Sequence, residues 1–152
     1  MPGVIVLAGG RGTRMGGVDK ASITLAGERL IDRLLRQLPY GAPVAVVSPY
    51  RLGMPQVCES PLFGGPAAGI AAGHAALAGD ARATTAVFAV DAPDSPQVLP
   101  ALHKALGSSG ADVAVATSTG AYNRCVRCGV LRPSPARWRS SEIHATTRPC
   151  AY

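Results

Sequence analysis

Residues 3–20 read GVIVLAGGRGTRMGGVDK, and this stretch decides the fold. The apolar, β-branched run at 3–8 is stopped by two glycines, which predicts a short buried strand. The loop at 9–19 is rich in glycine, whose missing Cβ lets backbone amides approach a ligand and form a concave anion site. Arg11, Arg14 and Lys20 add positive charge to this loop. The stretch therefore predicts a polyphosphate-binding loop after a strand, and a flexible surface loop is the alternative interpretation.

Strands and helices alternate along the rest of the chain. Further strands are predicted at 43–48, 56–59, 84–90 and 112–116. Helices are predicted at 28–38, 66–78 and 95–106, the last of them capped by Ser95. Continuously apolar strands that alternate with helices indicate an α/β fold in which a mostly parallel sheet lies between two layers of helices. Ligands of such folds bind beyond the carboxyl ends of the strands, so we expect the chemistry just after residues 8, 58 and 90.

Two acidic residues stand at these strand ends. Asp91 follows the apolar run TTAVFAV, and a carboxylate there is a hard oxygen ligand suited to Mg²⁺. A helix cap is the alternative role for Asp91, but Asp94 and Ser95 fit that role better. Glu59 is either a functional residue or a solvated loop acid, and the sequence leaves both interpretations open. We therefore expect Asp91 to be the metal ligand of the site.

Three motifs occur in the order found in nucleotidyltransferases with a Rossmann-like fold. They are L-A-G-G-x-G-x-R-M-G-G-x-D-K at 7–20, G-G-P-A-A-G-I at 64–70 and V-D-A-P at 90–93. The two glycines at 9 and 10, together with Asp19 and Lys20, resemble the molybdenum cofactor guanylyltransferases in particular. The resemblance covers residues 1–118 and implies a three-layer sandwich with a mostly parallel sheet, similar to that of the nucleotide-diphospho-sugar transferases.

The resemblance also implies roles for individual residues. It assigns catalysis to Lys20, Arg14 and Asp91, and the Mg²⁺ ion to Asp91. Gly64, Gly65 and Gly69 match glycines that let a loop and a helix pack close to the guanosine. An asparagine expected after the second strand is not evident, because the local sequence is Ser48, Pro49, Tyr50, Arg51. The nucleotide-binding residues implied are Leu7, Ala8, Gly9, Gly10, Lys20, Glu59, Gly65 and Asp91.

The implied reaction is the transfer of GMP from GTP to the terminal phosphate of molybdopterin, with release of pyrophosphate. It requires no protein nucleophile, because the acceptor phosphate attacks the α-phosphorus directly. Two alternatives stay open: a related transferase that uses CTP or another acceptor, and an inactive remnant that binds nucleotide. GTP and molybdopterin are the expected partners, together with transient contacts to molybdoenzyme-maturation proteins.

Most of the net charge of +6 lies at the end of the chain. Residues 1–118 hold nine Arg or Lys and eight Asp or Glu, whereas residues 119–152 hold six Arg and one Glu. The basic end lacks aromatic interleaving and any nucleic-acid-binding motif, so we expect no nucleic-acid partner. Apolar runs are too short for a bilayer and no basic region precedes residues 3–8, so we expect a cytoplasmic protein without membrane contact.

Residues 119–152 are expected to form an atypical basic tail after a nucleotide-binding domain of residues 1–118. Read from the third base of the Tyr122 codon, permitted codons encode Gln-Pro-Leu-Cys-Ala-Val-Trp, which resembles the family motif Q-P-L-x-A-V. We therefore predict a frameshift just before Gly120 and a largely unstructured tail, which leaves the activity of the chain open. A zinc site or a redox pair at Cys125-x-x-Cys128 is the alternative, with His144 and Cys150 as further zinc ligands.

Overall fold

A computed structural model describes residues 1–10, 19–80, 82–120 and 123–132, with the side chains of 118–120 and 123–127 left undescribed. Three strands form a parallel block on one side of the sheet. They are β1 (Gly3–Leu7), β4 (Val44–Val47) and β5 (Thr85–Ala89), and β1 lies between the other two. All three are short and almost continuously apolar, which is the pattern expected of strands that are covered on both faces.

A hairpin of two longer strands completes the sheet beside β5. β6 (Val113–Gly120) and β7 (Asn123–Leu131) pair antiparallel, and β7 also pairs antiparallel with β5. The resulting order is β4-β1-β5-β7-β6, so four of the five strands point in one direction and β7 alone is reversed. The sheet is therefore mixed but mostly parallel in direction, as the sequence predicted.

Helices cover both faces of this sheet. α1 (Leu30–Arg36) and α3 (Leu99–Ser109) pack on one face, where they share a buried apolar cluster with β1, β5 and β7. α2 (Pro66–Ala76) packs on the other face through Ala72 against Ile5, Val47 and Val87. This arrangement confirms the three layers expected from the alternation of strands and helices. No helix in the described part of the chain is both long and apolar enough to span a bilayer.

The first helix begins later than the hydrophobic periodicity predicted. Glu28–Arg29 forms the short strand β3, which pairs antiparallel with β2 (Thr24–Leu25). The turn between them places Ala26 and Gly27 at φ values of 52° and 85°, which reverses the chain in two residues. The prediction of helix at 28 and 29 was therefore wrong, because a pair of two-residue strands leaves no periodic signal. The strand expected at 56–59 is likewise only a bridge between Val57 and Val47.

Ser95 does not cap the third helix, in contrast to the prediction. A 3₁₀ turn spans Ser95–Val98 and α3 follows directly. Asp94 occupies the cap position of the turn, but its carboxylate accepts two hydrogen bonds of 2.8 Å from Arg33 on α1 instead of bonding to helix amides. The hydrogen bond from Arg33 lowers the pKa of Asp94. The acid therefore links two elements of the fold, and the helix begins without a side-chain cap.

β7 corrects the expectation for the basic tail. The tail was predicted to hold no strand, yet residues 123–131 form one, with Val130 fully buried and Cys128 5% exposed. Burial raises the pKa of the Cys128 thiol, which packs in the apolar core. Residues 133–152, including His144 and Cys150, lie outside the described residues. The boundary between 118 and 119 and the frameshift stay predictions.

Candidate functional site

A cavity of about 320 Å³ opens at the carboxyl ends of the three parallel strands. The walls include the ends of β1, β4 and β5, the loop before α2 and the first turns of α2. The sequence placed the chemistry after residues 8, 58 and 90, and the structure brings those three places into one cavity. The lining residues are Leu7, Gly9, Gly10, Lys20, Val47, Glu59, Phe63, Gly65, Pro66, Gly69, Ala89, Val90 and Asp91.

The glycine-rich loop begins just after β1, and its first residue, Gly9, is packed too tightly for a larger side chain. A Cβ on Gly9 would lie 2.8 Å from Cδ of Pro49, so only glycine fits without a shift of the neighbouring loop. Ala8 donates its backbone N–H to Val47 at 2.8 Å and is buried beneath the cavity, so its side chain belongs to the core. Arg14 lies among residues 11–18, outside the described residues. Leu7 at the end of β1 and Gly9 and Gly10 of the predicted loop line the cavity.

Lys20 and Asp91 form an ion pair at the cavity. Lys20 Nζ lies 3.6 Å from Asp91 Oδ2, and the two side chains are 41% and 42% exposed. Asp19 fixes the turn that carries Lys20, since its carboxylate accepts hydrogen bonds from the Ala21 N–H and the Ser22 hydroxyl. Asp91 directly follows β5, as predicted. A cation and a carboxylate from different loops therefore meet at the place expected for phosphate and metal.

Glu59 is buried, which makes the interpretation as a solvated loop acid wrong. Its side chain is 7% exposed, lines the cavity and accepts a hydrogen bond from the Phe63 N–H at 3.2 Å. Oε2 lies 3.8 Å from the position that a Cβ on Gly9 would take. The carboxylate therefore lies beside the glycine loop and at the same time braces the loop that precedes α2.

Ser48 begins the stretch after β4 in which the family resemblance implied an asparagine. It is fully buried, and its hydroxyl donates to the Ala8 carbonyl at 3.3 Å and accepts from the Tyr50 N–H at 3.1 Å. Gln56 braces the same loop, because its amide donates to the carbonyls of Ser48 and Tyr50. The loop after β4 is thus held to the backbone of β1 by a network of hydrogen bonds.

Two aromatic residues that the sequence analysis did not single out also belong to the site. Phe63 lines the cavity, and the centroid of its ring lies 6.3 Å from the centroid of the Tyr50 ring, with an angle of 60° between the two ring planes. The Tyr50 hydroxyl donates to the Gly10 carbonyl at 3.1 Å. An aromatic residue directly before the Gly-Gly-Pro turn was the only signal in the sequence, and it carries no information about where the ring points.

The start of α2 forms the remaining wall. Gly65, at φ 88°, is the last residue before the helix, and Pro66 occupies its first position. A Cβ on Gly69 would lie 3.0 Å from Cδ2 of Leu7, so glycine allows the helix to approach β1 closely. The positive end of the helix dipole therefore faces the cavity, which favours an anionic ligand.

The site residues fit a magnesium ion. One carboxylate from the protein, completed by phosphate oxygens and water, is a usual ligand set for Mg²⁺ at nucleotide sites. Asp91 is the carboxylate at the cavity that is half exposed, which leaves its oxygens accessible to a metal. No group of three or more His, Cys, Asp or Glu side chains within the described ranges is arranged to hold a metal alone. His144 and Cys150, the further ligands of the zinc interpretation, lie outside the described ranges, so that interpretation stays a prediction.

The fold and the cavity define an α/β domain with a glycine loop, a lysine and a carboxylate at its strand ends, an arrangement suited to a phosphate-bearing ligand. The family described as MobA-like NTP transferase domain matches residues 4–146, and the chain belongs to this family. The resemblance read from the three motifs is thereby confirmed. The match extends beyond residue 118 and includes β7.

Curated relatives carry the name molybdenum cofactor guanylyltransferase. The protein from Serratia proteamaculans is 40% identical over an alignment of 106 residues that covers 62% of this chain and 51% of the relative. The protein from Rhodopseudomonas palustris is 38% identical over an alignment of 130 residues that covers 76% of this chain and 60% of the relative. The chain thus spans between half and about two thirds of the length of the relatives that it matches.

A solved structure shows the same fold. Molybdopterin-guanine dinucleotide biosynthesis protein A from Archaeoglobus fulgidus superposes with a TM-score of 0.60 at 26% sequence identity. The superposition covers 85% of this chain and 66% of that one. The predicted Rossmann-like fold of the nucleotidyltransferase kind is confirmed by this likeness.

Proposed function

We propose that this chain transfers GMP from GTP to the terminal phosphate of molybdopterin and releases pyrophosphate. The observation that carries the proposal is the meeting of Lys20 and Asp91 at 3.6 Å in a cavity lined by Gly9 and Gly10. Glycine amides, a lysine and the start of a helix suit a triphosphate, and a half-exposed carboxylate suits its magnesium ion. The names of the relatives support molybdopterin as the acceptor.

The binding roles follow the positions of the residues in the cavity. The backbone of Leu7, Ala8, Gly9 and Gly10 would border the nucleotide, with Gly65 on the facing wall. Glu59, buried beside Gly9, would contact the nucleoside. Lys20 would bind the phosphates, and Arg14, from the part of the loop outside the described residues, is proposed to assist it.

The reaction is an in-line displacement at phosphorus. An oxygen of the molybdopterin phosphate attacks the α-phosphorus of GTP, and the bond from that phosphorus to the oxygen bridging to the β-phosphate breaks. The electron pair of this bond leaves with pyrophosphate, so negative charge grows on the leaving group. Lys20 stabilises this charge and fixes the triphosphate in position, which are the two contributions required of the protein. Mg²⁺, held by Asp91, would supply further charge neutralisation when bound.

The direct test measures pyrophosphate release from GTP in the presence of molybdopterin and Mg²⁺. Release is expected only with the acceptor present and only with GTP among the four nucleoside triphosphates. Release with CTP instead would indicate the related transferase. Binding of GTP without release would indicate a nucleotide-binding remnant. The same assay on a frame-corrected chain would show whether the proposed frameshift after residue 119 removes activity.

The location and further partners of the protein are also proposed, not observed. We infer a cytoplasmic site of action from the proposed substrates, GTP and molybdopterin. Transient contact with molybdoenzyme-maturation proteins follows from the proposed product, which such proteins would receive. Co-purification of the chain with a molybdoenzyme chaperone would test this contact.

A further inference from the structure

The aromatic wall formed by Tyr50 and Phe63 has no assigned role in the reaction above. Phe63 is 37% exposed although its ring lies against the cavity, and Tyr50 is half-buried beside it. The two rings are in contact at a tilted angle, an arrangement in which one ring supports the other. A partly exposed aromatic ring on the wall of a largely apolar cavity suits a ligand with an aromatic face.

The backbone of Phe63 is held in an uncommon conformation. Its φ of 58° lies in the left-handed region, which bulky residues rarely adopt and which persists only where the surroundings impose it. The imposing contacts are the Glu59 carboxylate on the Phe63 N–H and the hydrogen bond from the Gly64 N–H to the Pro61 carbonyl. A Cβ on Gly64 would lie 2.8 Å from Cβ of Ala68, so this turn is tightly packed as well. The backbone of Phe63 is therefore held where its side chain lines the cavity.

The wall is also connected to the phosphate-binding loop. The hydroxyl of Tyr50 donates to the Gly10 carbonyl, and Gln56 holds the Tyr50 backbone. In the sheet, β1 lies between β4 and β5, so the glycine loop after β1 separates the wall on the β4 side from Asp91 on the β5 side. This order matches a nucleotide whose phosphates lie near Lys20 and Asp91 and whose base lies near the wall.

We propose that the ring of Phe63, supported by Tyr50, is the surface on which the base of the bound nucleotide stacks. The inference rests on the proposed nucleotide site and adds a residue that positions the base. Every base presents an aromatic face, so stacking contributes affinity for the nucleoside without selecting guanine. Selection of guanine over the other bases would then depend on polar groups, and one of these, Glu59, lies directly beside the glycine loop.

The test compares two substitutions of Phe63 in the full chain. Phe63→Asn removes the ring, and asparagine tolerates the left-handed backbone. Phe63→Tyr keeps the ring and is the matched control. Dissociation constants are measured by calorimetry for GTP and for tripolyphosphate, which has the phosphates but no base. Phe63→Asn should weaken GTP binding by about five- to one-hundred-fold and leave tripolyphosphate binding unchanged, whereas Phe63→Tyr should leave both near the wild-type values.

Three outcomes would overturn the inference. Unchanged GTP binding in Phe63→Asn would show that no base stacks there, although the proposed function would stand. Equal weakening of GTP and tripolyphosphate would show that Phe63 acts through the phosphate loop. A wild-type chain that binds no GTP would refute the proposed function itself, and the stacking role with it. Phe63→Leu, which keeps an apolar side chain without a ring, serves if Phe63→Asn does not fold, and it should also lose GTP affinity selectively.

Discussion

Lys20 and Asp91 contribute little to stability where they stand. Both side chains are about two-fifths exposed and 3.6 Å apart, and an ion pair in such a setting stabilises a fold by up to about 1 kcal/mol. Their position at the cavity, and not their mutual attraction, is the reason to expect a role in binding. Substitutions at either residue should therefore separate activity from folding.

Lys20→Met should reduce turnover by about two to three orders of magnitude, the usual loss when one charge-stabilising group is removed. The melting temperature should change little, because the side chain is half exposed. Pyrophosphate release and thermal unfolding would measure the two effects. Lys104→Met is the matched control, since Lys104 is the other lysine of the chain and lies exposed on α3. Near-native turnover in Lys20→Met would show that another residue stabilises the charge.

Asp91→Ala should weaken the binding of Mg·GTP more than the binding of metal-free GTP. The reason is that, in the proposed site, the carboxylate would bind the ion, which in turn would neutralise the triphosphate. Calorimetry with and without Mg²⁺ would measure the two affinities. Asp80→Ala, at an exposed aspartate that pairs with Arg82 after α2, is the control and should change neither. Equal weakening of both forms of GTP would mean that Asp91 acts on the structure and not through the metal.

The site residues that directly follow a strand could be predicted from the sequence. Parallel strands bring their carboxyl ends to one edge, so the residues after 8, 58 and 90 had to converge once the strands were identified. Phe63 could not be found in this way. Its ring reaches the cavity through a positive φ and through contacts with the loop of Tyr50, and neither is encoded in any local pattern.

At the scale of elements, the packing of α2 on β1 depends on glycine. The helix PAAGIAAGHAA is too uniform in hydropathy to show an apolar stripe, and its contact with the sheet is made by small residues. A Cβ on Gly73 would lie 2.6 Å from Cγ2 of Ile5, closer than real Cβ atoms approach a neighbour. Close approach of helix and strand is what places the start of α2 at the cavity.

Gly73→Ala should therefore lower the free energy of unfolding by about 1–3 kcal/mol, the usual cost of an extra methyl group in a packed core. Gly107→Ala is the matched control in α3, because a Cβ there meets nothing within 4 Å. Alanine favours the helix over glycine, so this control should be neutral or more stable by up to about 1 kcal/mol. Urea denaturation of both variants would measure the difference. Equal stability of the two variants would contradict the packing role of Gly73.

The elements that the sequence analysis missed are those stabilised by distant partners. β2 and β3 have two residues each, and only the reversal at Ala26 and Gly27 makes them pair. β7 contains several arginines and cysteines and has no clear alternation, but its backbone pairs with β5 and β6 on either side. Tertiary pairing thus overrides a weak intrinsic preference, which is a known limit of reading strands from composition.

At the scale of the whole molecule, β7 unites the two parts into which composition divides the chain. It comes from the basic segment 119–152, yet it lies between β5 and β6, both of which belong to residues 1–118 for all or most of their length. Without β7, β5 would become an edge strand and β6 would have no partner in the sheet. The folded domain therefore extends at least to Leu131, although the composition of the sequence changes near residue 119.

Two shortened chains would test this dependence. A chain that ends at residue 132 keeps β7 and should unfold cooperatively with nearly the stability of the whole, because the tail beyond it is predicted to be unstructured. A chain that ends at residue 118 should lose at least about 2 kcal/mol, which is what the burial of one valine such as Val130 contributes. Urea denaturation followed by circular dichroism would measure both. If the chain that ends at residue 118 were as stable as the whole, β7 would add nothing to the core. If the chain that ends at residue 132 lost stability, residues 133–152 would pack against the domain, which would contradict the prediction of an unstructured tail.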